Sequence, residues 1–125
     1  MSFGRLRAIA LDGSQPVGRR LIALGSAVQR YSWLTQTSYQ SVREALTSRY
    51  GLGRRPPPDA AIRAAFGELD DARRAFLEML AGFRALRRSE KRTGGRRPAD
   101  AAVRALYRSA RLGTPRQSGP LTSGA

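Results

Sequence analysis

The sequence predicts an all-α fold: three to four helices in a small bundle around one long central helix, with a disordered N-terminal arm and C-terminal tail. Three observations carry this reading. Apolar residues recur every three or four positions over several separate stretches. Helix-stopping segments stand between those stretches: Thr35-Gln36-Thr37-Ser38, Gly51-Leu52-Gly53 and Arg54-Arg55-Pro56-Pro57-Pro58. The charge is also segregated. Residues 1–58 hold nine Arg against Asp12 and Glu44, net +7, and residues 59–90 hold six Arg against six acids, net zero. Residues 91–125 hold Lys91 and seven Arg against Asp100, net +7 again. A neutral centre can fold on itself, whereas two basic flanks call for something negative beside them.

Residues 1–15 read as a flexible basic arm ending in the turn-forming Asp12-Gly13-Ser14. The helical domain spans 16–112, with helices expected at about 17–34, 39–50, 60–92 and 98–112. Ser14 is placed to cap the first of these, entered near Pro16. Val17, Leu21, Leu24, Val28 and Tyr31 form its apolar stripe. The second helix carries Tyr39, Val42 and Leu46 on one side, and Ser41 with Glu44 has capping-box spacing. Gly51 supplies its stop.

The proline run excludes helix until Pro58, after which Asp59 is expected to cap the longest element. There Ile62, Phe66, Leu69, Phe76, Leu77, Leu80 and Phe83 fall within about 120 degrees of one another at the helical period. Asp59/Arg63, Asp70/Arg74 and Arg74/Glu78 are four apart, so this helix is expected to balance its own charge. Gly94-Gly95 ends it. The last helix stops at Gly113 and Pro115, and the Gly-, Ser-, Thr- and Pro-rich stretch 113–125 reads as a disordered tail. Asp59-Ala60-Ala61-Ile62-Arg63-Ala64-Ala65-Phe66 is echoed by Asp100-Ala101-Ala102-Val103-Arg104-Ala105-Leu106-Tyr107. Two amphipathic helices that start alike explain the echo more simply than a duplicated unit.

Cysteine and histidine are both absent. That removes disulfides, thiolate metal sites and Cys nucleophiles, along with the commonest general base and metal ligand. A non-enzymatic role is therefore expected, with no cofactor and no metal. No apolar run reaches the roughly 18 to 20 residues of a membrane span. The cations are 22 Arg and one Lys. A GC-rich coding sequence accounts for such a count, whereas guanidinium forks suited to phosphate and carboxylate bear on where the residues are placed.

The function expected from this pattern is binding: an arginine-rich helical interaction protein that takes nucleic acid or another polyanion on its basic flanks. Arg97, Arg104, Arg108 and Arg111 lie within about 60 degrees on the last helix, and Arg92 and Arg96 extend that patch. A solvated face is the plainer reading of such a stripe, and attachment of this helix to anionic lipid is a third. A second set of candidates is expected to meet a partner. Arg73, Arg84 and Arg87 intrude into the apolar arc of the long helix, either snorkelling over the core edge or receiving an acidic partner group. Trp33 falls off the stripe of its helix and is expected to contact another helix or a partner. Tyr31, Trp33, Tyr39 and Tyr50 interleave with Arg30, Arg43 and Arg49, a pattern shared by single-strand nucleic-acid binders and by ordinary cores.

The alternative is a helical scaffold or assembly factor that meets an acidic protein surface. Arg-rich helices of this number and order resemble the small mitochondrial LYR-type proteins over residues 17–90, a group that includes assembly factors for respiratory and ATP-synthase complexes. Arg20-Leu21-Ile22 stands in the first helix where that family has its Leu-Tyr-Arg triplet, and the literal Leu106-Tyr107-Arg108 lies in the last helix. An intracellular location is expected, in the nucleus or nucleoid or in the mitochondrion, the last suggested by an Arg-rich, acid-poor N-terminal region. The long helix carries enough apolar length for a second copy of the chain to be a candidate partner.

Overall fold

The structure, a computed structural model, describes residues 1–92 and Leu112, with the side chains of Phe83 and of residues 86–92 left aside. The described residues form a small all-α bundle of four helices. These are α1 (Phe3–Leu11), α2 (Val17–Thr35), α3 (Tyr39–Tyr50) and α4 (Asp59–Arg92). The expected helix at 98–112 and the tail at 113–125 fall outside the description, apart from Leu112.

The N-terminal segment is not an arm. Residues 3–11 are helical, with the Ser2 hydroxyl accepting from Arg5 N–H at the start. Phe3, Leu6 and Ala10 turn one face into the core at the i, i+3, i+7 spacing of a helix stripe. Nine residues are too few for a stable isolated helix, so α1 exists by docking against α2 and α4. Phe3 stacks at a tilt on Phe66 of α4, ring centroids 5.4 Å apart.

α2 buries Ala23, Leu24, Ala27, Val28 and Tyr31 and leaves Val17 and Leu21 half-buried. The stripe is thus rotated slightly from the expected one, with Arg20, Ser32 and Thr35 inside it. Tyr31 is fully buried, and this pushes its phenol up to about 12 although the Leu112 backbone N–H is hydrogen-bonded to it. Leu112 thereby returns the chain to the core. No side chain caps α2: Ser14 Oγ donates instead to Asp12 Oδ1 at 2.6 Å, within a local turn. The helix ends at Thr35, and Gln36 takes a left-handed φ of 54°.

α3 is capped by Ser38, whose hydroxyl accepts from Ser41 N–H, and not by the Ser41–Glu44 box. The break at 35–38 is therefore also the start signal of the next helix. Gly51 closes α3 at φ 66°, where a side chain would be strained. α4 runs 34 residues, about 51 Å at the helical rise, and packs on all three other helices. Ile62, Ala65, Phe66, Leu69 and Phe76 are its buried positions. Leu77 and Leu80 are only half-buried. No helix among the described residues is long and apolar enough to cross a membrane.

The buried face of α1 leads to a direct expectation. Phe3→Ala should destabilise the chain by about 3 kcal/mol, the low end for deleting a buried aromatic side chain. Urea unfolding followed by circular dichroism measures this, and a loss below about 0.5 kcal/mol would restore the arm.

Candidate polyanion-binding surface

How the bundle is tied decides which cations face outward. Arg20 on α2 is buried at 3% exposure. Its Nε donates to the carbonyl of Ala10 at 2.8 Å, and its Nη2 to Asp59 Oδ1 at 2.6 Å. Arg63 on α4 repeats the arrangement: Nε donates to Asp59 Oδ2 and Nη2 to the carbonyl of Leu11, both at 2.8 Å. α1 has no basic residue in its own last turn. Its unsatisfied C-terminal carbonyls instead take cations from α2 and α4, at the negative end of the helix dipole. Asp59, in the first turn of α4, orients both guanidiniums, and its charge is favourable at that helix N-terminus. Arg20 and Arg63 hold the Asp59 carboxyl below its ordinary value. Asp59 is therefore a bridging residue, where the sequence suggested a cap.

Two further acids of α4 also serve the other helices. Asp70 meets Arg7 of α1 at 3.8 Å and Arg74 of its own helix at 3.1 Å. Glu68 Oε1 receives Arg49 of α3. Its Oε2 is buried with no partner among the described residues, so Arg49 is the compensation this carboxylate has. The long helix does not balance its charge alone. Its Asp59–Arg63 and Asp70–Arg74 pairs form as expected, but Asp59, Glu68 and Asp70 also bind arginines from all three neighbours.

Of the residues expected to meet a partner, Arg73 is occupied internally. It is half-buried, with its guanidinium carbon 4.4 Å from the centroid of the Phe3 ring, a cation–π contact that seals the core edge. This contact is what the snorkelling alternative expects of Arg73, with α1 supplying its neighbour. Arg84 is exposed. The side chains of Arg87 and Arg92 lie outside the description, as do Arg96, Arg97, Arg104, Arg108 and Arg111.

Trp33 is 62% exposed and Ile22 72%. At 100 degrees per residue, Gly18, Arg19, Ile22, Ser26, Arg30 and Trp33 fall within about 120 degrees of one another, and all six are exposed. Arg30 precedes Trp33 by three residues, which makes them neighbours on the helix surface. α2 contains no acidic residue at all. Among the described residues, no ion pair forms to Arg19, Arg30, Arg43, Arg54, Arg55 or Arg84. The structure brings together an exposed indole and two arginines on a face without carboxylates, and leaves Tyr31 in the core. Tyr39 is half-buried, its hydroxyl accepting from Arg43 Nη1 at 2.7 Å.

Spacing alone contained a sign of the clasp. Arg20 sits three residues after Val17 and four before Leu24, inside the apolar stripe, but its acceptors lie ten and 39 residues away. No group of three or more acids, histidines or cysteines able to hold a metal occurs among the described residues. Compared with protein-family models, curated proteins and solved structures, the chain matches none.

Arg20→Met keeps the buried stem and removes both charge-assisted bonds, so it should cost about 2–3 kcal/mol in chemical denaturation. The pH dependence follows from Asp59. Its folded-state value lies below the ordinary 3.8, so the unfolded chain binds the proton more readily. The stabilisation is complete above 3.8 and is lost as pH falls through that value and the lower folded one. Asp59→Asn should lower stability at neutral pH and flatten this acid limb. An unchanged limb would show that Asp59 is not bridged.

Proposed function

We propose that this protein acts by binding, without catalysis, and that its partner is single-stranded nucleic acid lying across the outer face of α2. The observation that carries the reading is Trp33, exposed beside Arg30 on a helix without a carboxylate. Every base has a π face, so an exposed indole is a stacking platform whatever the sequence. Arg19 and Arg30 flank the platform on the same arc and can each take a phosphate with a fork of donors. The net charge of +14 supplies attraction at longer range, which salt screens. The basic C-terminal stretch carrying Arg96, Arg97, Arg104, Arg108 and Arg111 would extend the contact along the strand.

Ile22 favours a second reading, a scaffold docked on an acidic protein, because an exposed aliphatic side chain adds nothing to phosphate recognition. The two readings differ in what they ask of the ligand. A strand supplies bases to Trp33, and an acidic protein supplies only charge and apolar contact.

Trp33 is the single tryptophan, so its fluorescence reports on the proposed platform alone. Titration with oligouridylate in ~50 mM salt, where phosphate attraction is strong, should quench the emission and saturate. Trp33→Ala should weaken binding about 5- to 150-fold, the range for losing one stacked base. Arg19→Glu with Arg30→Glu should reduce the salt slope by about 1.4, at about 0.7 per phosphate contact on a single strand. Polyglutamate of equal charge that binds as well as the oligonucleotide, or titration without quenching, would contradict the reading.

A further inference from the structure

On the edge of α2 opposite Arg30, a groove of about 620 Å³ opens between α2, α3 and the 51–58 linker. Its floor and walls are apolar: Leu21, Leu24 and Val28 from α2, Leu46 from α3, and Leu52 and Pro57 from the linker. The charged groups at its rim are of one sign. Arg43, Arg54 and Arg55 line it, and among the described residues no carboxylate does. Arg43 is held in place: its Nη1 donates to Tyr39 Oη at 2.7 Å, and the pair lies directly over Gly25. A Cβ on Gly25 would stand 3.4 Å from Arg43 Nη1 and 3.5 Å from Tyr39 Oη. These are ordinary van der Waals distances, so the Tyr39–Arg43 pair packs directly against α2 at the groove.

We propose that this groove binds a single-chain anionic amphiphile, its hydrocarbon chain between α2 and α3 and its carboxylate or phosphate head among Arg43, Arg54 and Arg55. The volume falls in the range of about 300–1,000 Å³ usual for small-molecule sites. A slot lined by Leu, Val and Pro rewards burial of hydrocarbon. Three guanidiniums with no acid beside them among the described residues call for a negative group at the mouth, and their forked donors fit carboxylate and phosphate oxygens equally. A neutral chain would leave the rim unanswered, and a cationic one would be repelled. The site uses none of Arg19, Arg30 or Trp33, so it stands apart from the nucleic-acid reading.

Calorimetric titration of the full chain with palmitate, laurate and dodecyl phosphate, each below its micelle concentration, tests the proposal. Hexadecyltrimethylammonium serves as the cationic chain, and acetate and inorganic phosphate as heads without a chain. One anionic amphiphile should bind per chain, at least about tenfold tighter than any control. Preference between laurate and dodecyl phosphate, whose chains match in length, assigns the head as carboxylate or phosphate. Arg54→Glu with Arg55→Glu should weaken binding at least about tenfold, as expected for loss of charge-assisted contacts, while Trp33→Ala leaves it unchanged. Gly18→Phe provides a second variant. Gly18 lines the groove and a Cβ there meets nothing within 4 Å, so the fold accepts the ring and the groove loses its room. Absence of binding, binding of the cationic chain as tightly as the anions, or two folded variants that bind like the parent would each overturn the proposal.

Discussion

Arg20 is the residue on which the rest of this bundle depends. Buried beneath α1 and α4, it donates at once to the Ala10 carbonyl and to Asp59. One side chain thereby joins the end of α1, the first turns of α2 and the start of α4. Lysine could not take its place, because the two acceptors lie in different helices and the planar fork addresses both without rotation. A buried cation is costly unless compensated, and here the compensation is complete only when all three helices are in position. Arg63 doubles the clasp from the exposed side.

This tie sets the outward character of the molecule. The chain has nine acids against 23 cations, and Asp59, Glu68 and Asp70 all face arginines of the other helices. Carboxylates that hold the bundle together are unavailable to neutralise its surface, so among the described residues the charged groups of α2 and of the neighbouring groove's rim are all basic. Arginine abundance therefore has two components here. Arg7, Arg20, Arg49, Arg63 and Arg73 have partners inside the fold, whereas Arg19, Arg30, Arg43, Arg54 and Arg55 form no ion pair among the described residues.

Periodicity made α2, α3 and α4 readable to within a residue or so, because each is long enough for a stripe and ends at a chemically distinct stop. Val42, Leu46, Ile62, Phe66 and Leu69 are buried as their spacing implies. α1 is not legible because a nine-residue helix has barely two turns in which to show a stripe, and the Asp12-Gly13 turn that follows it has the composition of a flexible segment. Its stability comes from Phe66, Arg20 and Arg63, all distant in sequence. The caps misled for a related reason. Ser14 and Asp59 have the right chemistry at the right place, but nearer or stronger partners claim them: Asp12 for the first, two guanidiniums for the second. Trp33 was legible as an outlier, and the structure shows the reason, since its arc of α2 faces solvent. The groove was not legible, because it needs α2, α3 and the linker together.

The clasp can be isolated by a double-variant cycle on Arg20→Met and Asp59→Asn, followed by chemical denaturation at neutral pH. Residues joined in one network couple, whereas independent sites add. If the two side chains form one tie, the double variant should be scarcely less stable than the weaker single variant. Losses that simply sum would show that Arg20 and Asp59 act apart, and would contradict the account of how the bundle is held.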